Sequence, residues 1–152
     1  MTKPDPLRFW TTLAALFTLA GCGSLDNCPD AQADITVPAT ESRTDAQALT
    51  FDSAPGGHDL DPFPAKTVLR FEHELGATPL LYKAYLAFAA NGTNGSGGGS
   101  VAEVAGNEVL YDCMDSHVIV VRNDTCERSF FIRVVSVGVD PDADPDACQT
   151  KK

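Results

Sequence analysis

Basic residues are scarce in this sequence: 152 residues include 11 Lys and Arg against 21 Asp and Glu, for a formal charge of −10. Such a surface repels the phosphates of nucleic acids and the headgroups of anionic lipids. We therefore expect no nucleic-acid partner. Trp10 is the single tryptophan, and the apolar run at residues 9–19 is shorter than the ~20 residues of a membrane-spanning helix.

Patterns that mark common catalytic sites are also missing. No Cys-x-x-Cys pair supports a zinc ribbon or a thioredoxin-like site, and the glycine-rich residues 91–100 lack the Lys-Ser/Thr of a phosphate-binding loop. Ser96 and Ser100 do not fit Gly-x-Ser-x-Gly, and His73-Glu74 has no second histidine at helical spacing. The sequence predicts no catalytic residue, no metal ligand and no cofactor, so we expect a protein that is not an enzyme.

Two groups of polar residues are weaker candidates for a metal site. Four aspartates alternate in residues 140–146 as at the start of a calcium loop, but the Gly and Glu that an EF-hand requires do not follow. His58 lies in a loop beside Asp59 and Asp61, without an evident third ligand. A solvated acidic tail and a surface histidine are the simpler interpretations.

The most informative motif lies in the first 22 residues. Lys3 and Arg8 precede the apolar run, and the sequence LAGC follows it at residues 19–22. This order is typical of a secretory signal peptide with a cleavage site after small residues. The motif resembles the lipobox of bacterial lipoproteins, a family in which cleavage falls between Gly21 and Cys22 and the Cys22 sulfur carries diacylglycerol.

The resemblance implies a protein held at the cell envelope by acyl chains such as palmitate. Two or more chains make such attachment stable, whereas one does not. Gly23 follows Cys22 in place of the aspartate that commonly retains lipoproteins in the inner membrane, so we expect the outer membrane if the source is Gram-negative. Residues 22–46 are polar and lack periodicity, and we interpret them as a lipidated tether.

Strand patterns dominate residues 47–139. Residues 47–52 and 101–104 are short candidate strands. Residues 67–73 alternate between apolar and polar side chains, as a half-buried strand does. Prolines and glycines predict a loop at residues 53–66. These short segments and turns favour an antiparallel architecture.

Residues 78–90 fit two kinds of element. As a strand they place five apolar residues on one face: Leu80, Tyr82, Ala84, Leu86 and Phe88. As a helix they begin with Thr78 as the N-cap and Pro79 as the first residue, and stop at Gly92. We favour the strand because the flanking segments have strand patterns.

The clearest pattern covers residues 107–113, 117–122 and 130–139, which are rich in β-branched and aromatic residues. Short connections between them predict three consecutive strands of an antiparallel meander. The third is apolar on both faces apart from Arg133, which is typical of a central strand.

Four cysteines remain once Cys22 is assigned to the lipid, and an even number in an exported chain predicts two disulfides. Cys113 and Cys126 flank one strand of the meander, roughly 15–20 Å apart, which is too far for a disulfide. Residues 130–139 run back toward the Cys113 end before Cys148. We therefore predict the pairs Cys113–Cys148 and Cys28–Cys126.

The fold expected from these patterns is all-β. It is a small antiparallel β-sandwich over residues 47–139, with a signal peptide (1–21) and a tether (22–46) before it and an acidic tail (140–152) after it. Residues 73–79 (HELGATP), with the aromatic segment and glycine-rich loop that follow, are similar to strand entries in β-sandwich modules of the H-type lectin and phage tail-fibre kind. That similarity implies a binding role.

The function expected is a lipid-anchored domain with a non-catalytic binding or structural role. Its partners would be the membrane, through the lipid, and a glycan or an envelope protein. Tyr82, Tyr85 and Phe63 are the aromatics expected to supply contacts. The alternative is an envelope hydrolase whose site is assembled from dispersed Asp, Glu and His.

Overall fold

The structure is a computed structural model, and it describes residues 28, 34–92, 101–104, 106 and 108–149. The lipobox, with the predicted cleavage at Gly21-Cys22 and lipidation at Cys22, lies outside the described residues, as do Gly23 and residues 93–100. No helix in the described part of the chain has the length and apolar character that a membrane crossing needs.

Strands account for nearly all of the regular structure in these residues, and the only helical pieces there are two short 3-10 turns, Ala39–Glu41 and Pro55–Gly57. The strands are β1 (Ile35–Val37), β2 (Arg43–Asp45), β3 (Thr50–Asp52), β4 (Asp61–Pro62), β5 (Val68–Glu72), β6 (Pro79–Ala87), β7 (Ala102–Val104), β8 (Leu110–Met114), β9 (Val118–Arg122) and β10 (Phe131–Val139). The predicted all-β class is confirmed.

These strands form two sheets. One has the order β1-β5-β9-β8, and the other has the order β2-β3-β10-β6-β7, with β4 also paired to β10. β1 runs parallel to β5, and all the other pairs between these strands are antiparallel. The inner faces enclose one apolar core, so the domain is the predicted β-sandwich.

The core follows from alternation along the strands. On β10, Ile132 and Val134 are fully buried, while Arg133 between them points outward. Three phenylalanines from different segments fill the centre of the core: Phe51, Phe63 and Phe71. Burying such large side chains is the main source of the free energy of folding.

The predicted meander is only partly correct. β8 and β9 form an antiparallel pair, with Leu110 opposite Arg122, but β10 does not follow them in the same sheet. It crosses to the other sheet and lies between β6 on one side and β3 and β4 on the other. The eight-residue connection at residues 123–130 is long enough for this crossing, and the apolar faces of β10 suit the central position that was predicted.

The predicted boundary between tether and domain is wrong. β1 and β2 lie inside residues 22–46, where the tether was expected, and they pair with β5 and β3. The β-branched sequence Ile35-Thr36-Val37 suits a strand, and Val37 joins the core. Residues 35–45 therefore belong to the sandwich.

Residues 78–90 contain β6, so the favoured strand interpretation is correct. Tyr82, Ala84 and Leu86 face the core, whereas Leu80 and Phe88 at the two ends are exposed. The nine residues of β6 pair along almost their whole length with β10. That long pairing outweighs the helix signals at Thr78 and Pro79.

Both predicted disulfides are present. Cys113–Cys148 joins Cα atoms 5.5 Å apart, and Cys28–Cys126 joins Cα atoms 4.8 Å apart across a sequence separation of 98. The pairing survives the error in the meander because β10 still carries the chain back toward Cys113, although it does so in the opposite sheet. The tail at residues 140–149 is thereby held against the domain.

The sandwich has two ends, each tied together by backbone hydrogen bonds. At the end that carries Cys126, the N–H of Phe63 donates to Phe130 and the N–H of Leu60 donates to Ala90. We call this the Cys126 end. At the opposite, Cys148 end, the N–H of Ser116 donates to Pro145 and the N–H of Asp140 donates to Thr78.

Candidate functional site

A polar cleft of about 560 Å³ opens beside the turn at residues 55–57. It combines residues from the segment before β2 with the loop between β3 and β4. The side chains that give it chemical character are Glu41, Ser53, His58, Asp59 and Asp61. Three acidic groups and a histidine thus line one concavity.

The loop that carries the cleft is held by β10 at both ends. The N–H of Ser53 donates to the Val134 carbonyl at 2.9 Å, and Asp61 pairs with Ile132. Between these points the chain turns at Gly56, whose φ of 65° favours glycine. The loop between β3 and β4, which carries the polar side chains of the cleft, is therefore held in place at both ends.

Asp61 has the most perturbed environment in the cleft. Burial raises the pKa of its carboxyl to about 6, opposed by a hydrogen bond from the Ser53 hydroxyl and reinforced by the negative charge of Glu41. The Ser53 hydroxyl itself accepts the Val134 N–H at 3.0 Å, which fixes its orientation. The second carboxyl oxygen, Oδ2, is buried and has no hydrogen-bond partner among the described residues.

This arrangement can exchange a proton near neutral pH. A carboxyl group that is half protonated at about pH 6 is suited to general acid catalysis when a second carboxylate lies close by. Glu41 is that second group, and His58 and Asp59 are exposed at the rim. The sequence singled out His58, Asp59 and Asp61 but missed Glu41, which lies in the predicted tether.

The other two histidines do not join this cleft. His73 is buried, its Nε2 lies 3.1 Å from the Asp115 carbonyl, and burial lowers its pKa. His117 is exposed, with the Ser116 hydroxyl 2.8 Å from Nδ1. Within the described ranges no three His, Cys, Asp or Glu side chains are grouped closely enough to hold a metal ion.

The outer face of the larger sheet carries a second set of ordered polar groups. Arg133 donates two hydrogen bonds to Asp52, at 2.8 Å and 2.7 Å. Burial alone would raise the pKa of Asp52, but the hydrogen bond and charge of Arg133 outweigh it and the pKa is lowered. Tyr85 lies opposite Arg133 on β6 and opposite Glu103 on β7. This face presents an aromatic ring among fixed charges.

The aromatic residues expected at the surface are only partly there. Phe63 is fully buried, and Tyr82 is half-buried beneath Tyr111, with ring centroids 5.3 Å apart. Tyr111 and Phe88 are the exposed aromatics that the sequence did not single out. The segment Pro62-Phe63-Pro64 has loop character, and this concealed a core residue.

An apolar cleft of about 270 Å³ lies at the Cys126 end of the larger sheet. Its walls include Leu86, Phe88, Val104 and Phe130, and Glu108 lies at its edge. Phe88 and Phe130 contact each other, with ring centroids 5.3 Å apart. This cleft is distinct from the polar one in both location and chemistry.

Comparison of the chain with protein-family models, with curated proteins and with solved structures finds no match.

Proposed function

We propose that this chain is a lipid-anchored lipoprotein of the bacterial cell envelope, attached through Cys22, whose β-sandwich has a binding or structural role without catalysis. The signal peptide directs export, and cleavage before Cys22 leaves that residue as the acylated N-terminus. The expected location is the outer membrane if the source is Gram-negative.

The disposition of the five cysteines is the observation that carries this proposal. Cys113–Cys148 and Cys28–Cys126 use four of them, and the fifth is the cysteine of the lipobox. Disulfides persist in oxidising compartments outside the cytoplasm, which is where a lipobox sends its protein. Two independent features, the motif and the paired thiols, thus favour the same compartment.

The outer face of the larger sheet supports a binding role. Tyr85 offers a ring for stacking, and Arg133 and Asp52 fix each other's orientation through two hydrogen bonds. Ordered polar groups around an aromatic ring suit a glycan, or a polar segment of an envelope protein. Such a face needs no catalytic group.

Fractionation tests the anchor. The full-length chain is expressed in a bacterial host, and its distribution is compared with that of Cys22→Ala. We expect the parent protein in the membrane fraction and the variant as an uncleaved or mislocalised precursor. Cys28→Ala is the matched control, since it removes a cysteine but keeps the lipobox, and it should remain in the membrane fraction. Equal fractionation of Cys22→Ala and the parent protein would contradict the proposal.

Binding is tested with detergent-solubilised full-length protein on a glycan array and against envelope extracts. Tyr85→Ala should lose any bound glycan, whereas Tyr111→Ala, an exposed tyrosine on the other sheet, should keep it. Retention by both variants would exclude the Tyr85 face.

Envelope hydrolysis is the second candidate, favoured by the Asp61 carboxyl with its pKa near 6 in a cleft with Glu41. Perturbed carboxyl groups in clefts are enriched at active sites. A panel of chromogenic glycosides and esters provides the assay. Asp61→Asn should abolish any turnover, and Asp59→Asn at the rim should preserve most of it. Full activity of Asp61→Asn would exclude this site.

A further inference from the structure

The disulfide Cys28–Cys126 limits how far the domain can lie from its lipid. Cys28 is six residues after Cys22, and six extended residues span at most about 20 Å. The Cα of Cys28 lies 4.8 Å from that of Cys126. The acylated residue is therefore within about 25 Å of Cys126.

The sandwich is longer than this tether. β6 and β10 have nine residues each, or about 30 Å at the rise of a strand, and Cys126 lies beyond one end of them. An upright pose with the Cys148 end on the lipid would place Cys126 about 30 Å away, beyond the reach of the tether, whereas the Cys126 end can reach the surface. Without the disulfide, the next attachment among the described residues is Asp34, paired with Arg70, and twelve residues would permit about 40 Å.

An exposed apolar patch lies at the same end. The Phe88 side chain is 65% exposed and Val101 is 43% exposed, and the Phe88 ring contacts that of Phe130. Phe130 is four residues from Cys126. Contiguous exposed apolar patches mark interaction surfaces, and aromatic and aliphatic side chains insert about 5–10 Å into a membrane interface.

The opposite end also exposes apolar side chains, Leu80, Leu81 and Val137, but it differs in its charge. Residues 138–149 carry four aspartates and no Lys or Arg, and Cys113–Cys148 holds them at the Cys148 end. A bilayer with anionic headgroups repels that end. Tether length and charge therefore favour the orientation that brings Phe88 and Phe130 to the lipid.

We propose that the domain rests on the lipid surface with its Cys126 end down, that Phe88 and Phe130 enter the membrane interface, and that Cys28–Cys126 enforces this orientation. The inference rests on the proposed lipidation of Cys22. The occupant of the apolar patch is the bilayer to which the chain is attached. The Tyr85 face then stands upright at the side of the domain, and the acidic end points away from the membrane.

Tryptophan fluorescence provides a direct test, because Trp10 lies in the predicted signal peptide and the mature chain has no tryptophan. Phe88→Trp and Leu81→Trp are made in the full-length chain. The parent residues lie on or next to β6 and have the same exposure, 65%, but they are seven residues, or about 23 Å, apart along the strand direction. Each lipidated protein is reconstituted in phosphatidylcholine vesicles with and without brominated acyl chains.

We expect bromolipid to quench Phe88→Trp several-fold more than Leu81→Trp. Equal quenching, or stronger quenching of Leu81→Trp, would overturn the orientation. Adding Cys28→Ser and Cys126→Ser to Phe88→Trp should reduce quenching, because the tether lengthens; unchanged quenching would exclude the role of the disulfide.

Vesicle flotation distinguishes failure of the proposed orientation from failure of the proposed lipidation at Cys22. A protein that fails to float with the vesicles contradicts lipidation at Cys22, and the inference falls with it. A protein that floats but shows no difference between the two tryptophan positions contradicts the orientation alone. Unchanged thermal unfolding midpoints in both variants establish that the fold is intact.

Discussion

The carboxylate of Asp115 joins the acidic tail to the smaller sheet: its Oδ2 accepts the backbone N–H of Cys148 at 3.2 Å. Its Oδ1 accepts the N–H groups of His117 at 2.8 Å and Val118 at 3.0 Å. The Asp115 side chain is 1% exposed. One buried carboxylate therefore closes the turn between β8 and β9 and fixes the tail beside Cys113–Cys148.

Replacement of Asp115 should destabilise the domain strongly. Asp115→Ala leaves three partly buried N–H groups without their acceptor, and we expect a loss of about 3 kcal/mol in the free energy of unfolding. Asp115→Asn keeps one carbonyl oxygen and should lose less. Urea denaturation measures both, with Asp142→Ala in the exposed tail as the control. A loss for Asp115→Ala no larger than that for Asp142→Ala would contradict this role.

The two disulfides should contribute unequally to stability. Their sequence separations are 35 and 98, and closure of loops of those sizes stabilises a fold by about 4 and about 5 kcal/mol in the chain-entropy account. In urea denaturation, we expect the free energy of unfolding to fall further in Cys28→Ala/Cys126→Ala than in Cys113→Ala/Cys148→Ala. Dithiothreitol should destabilise the parent protein; an unchanged midpoint in reductant would show that neither bond stabilises the domain.

Arg133 and Asp52 should behave differently from a second ion pair on the same sheet face. The Arg133 guanidinium is partly buried and makes two short hydrogen bonds. Arg133→Met should therefore lower the free energy of unfolding by about 1.5–3 kcal/mol. Lys83 and Glu103 are paired at 2.9 Å but well exposed, so Lys83→Met should cost much less. Chemical denaturation of both variants measures the contrast, and equal costs would refute it.

Loss of the Asp61 proton should lower the free energy of unfolding as the pH rises. Its pKa is about 6 in the folded chain and about 3.9 when unfolded, so the folded state binds more protons between pH 4 and 6. The free energy of unfolding therefore decreases between pH 4 and 6, and the decrease is complete above pH 6. Since Asp61 is partly exposed and screened, we expect Asp61→Asn to gain on the order of 1 kcal/mol at pH 7.5 and little at pH 4.

Unfolding at the two pH values, compared with the parent protein, measures this difference because titration of the other carboxyl groups is common to both. Asp59→Asn, at an exposed neighbouring position, is the control for removing a carboxyl group from the same cleft. An equal gain for Asp61→Asn at pH 4 and 7.5 would contradict a raised pKa at Asp61.

Local patterns predicted much of the fold. Alternation in β5 and the β-branched runs of β9 and β10 each mark a strand by themselves, because one face or both faces are buried. The disulfides were predictable because the direction of the chain through β9 and β10 decides which cysteines meet. Membership of one sheet or the other does not change that direction.

Nonlocal features were not predictable in the same way. β1 pairs in parallel with β5, but its three residues are too few to show the alternation of apolar and polar side chains that marks a strand. Glu41 meets Asp61 only because the chain before β2 folds back over the loop before β4, and twenty residues of sequence separate them. The crossing of β10 to the second sheet depends on packing that no short segment encodes.

The lipid anchor is tested most directly by intact-mass spectrometry of the protein extracted from bacterial membranes. The proposal predicts a chain that begins at Cys22 and carries the added mass of diacylglycerol, with or without a further acyl chain on the new amino group. Cys22→Ala should retain residues 1–21 and carry no lipid. A parent chain that begins at Cys22 without added mass, or that begins at another residue, would contradict the account.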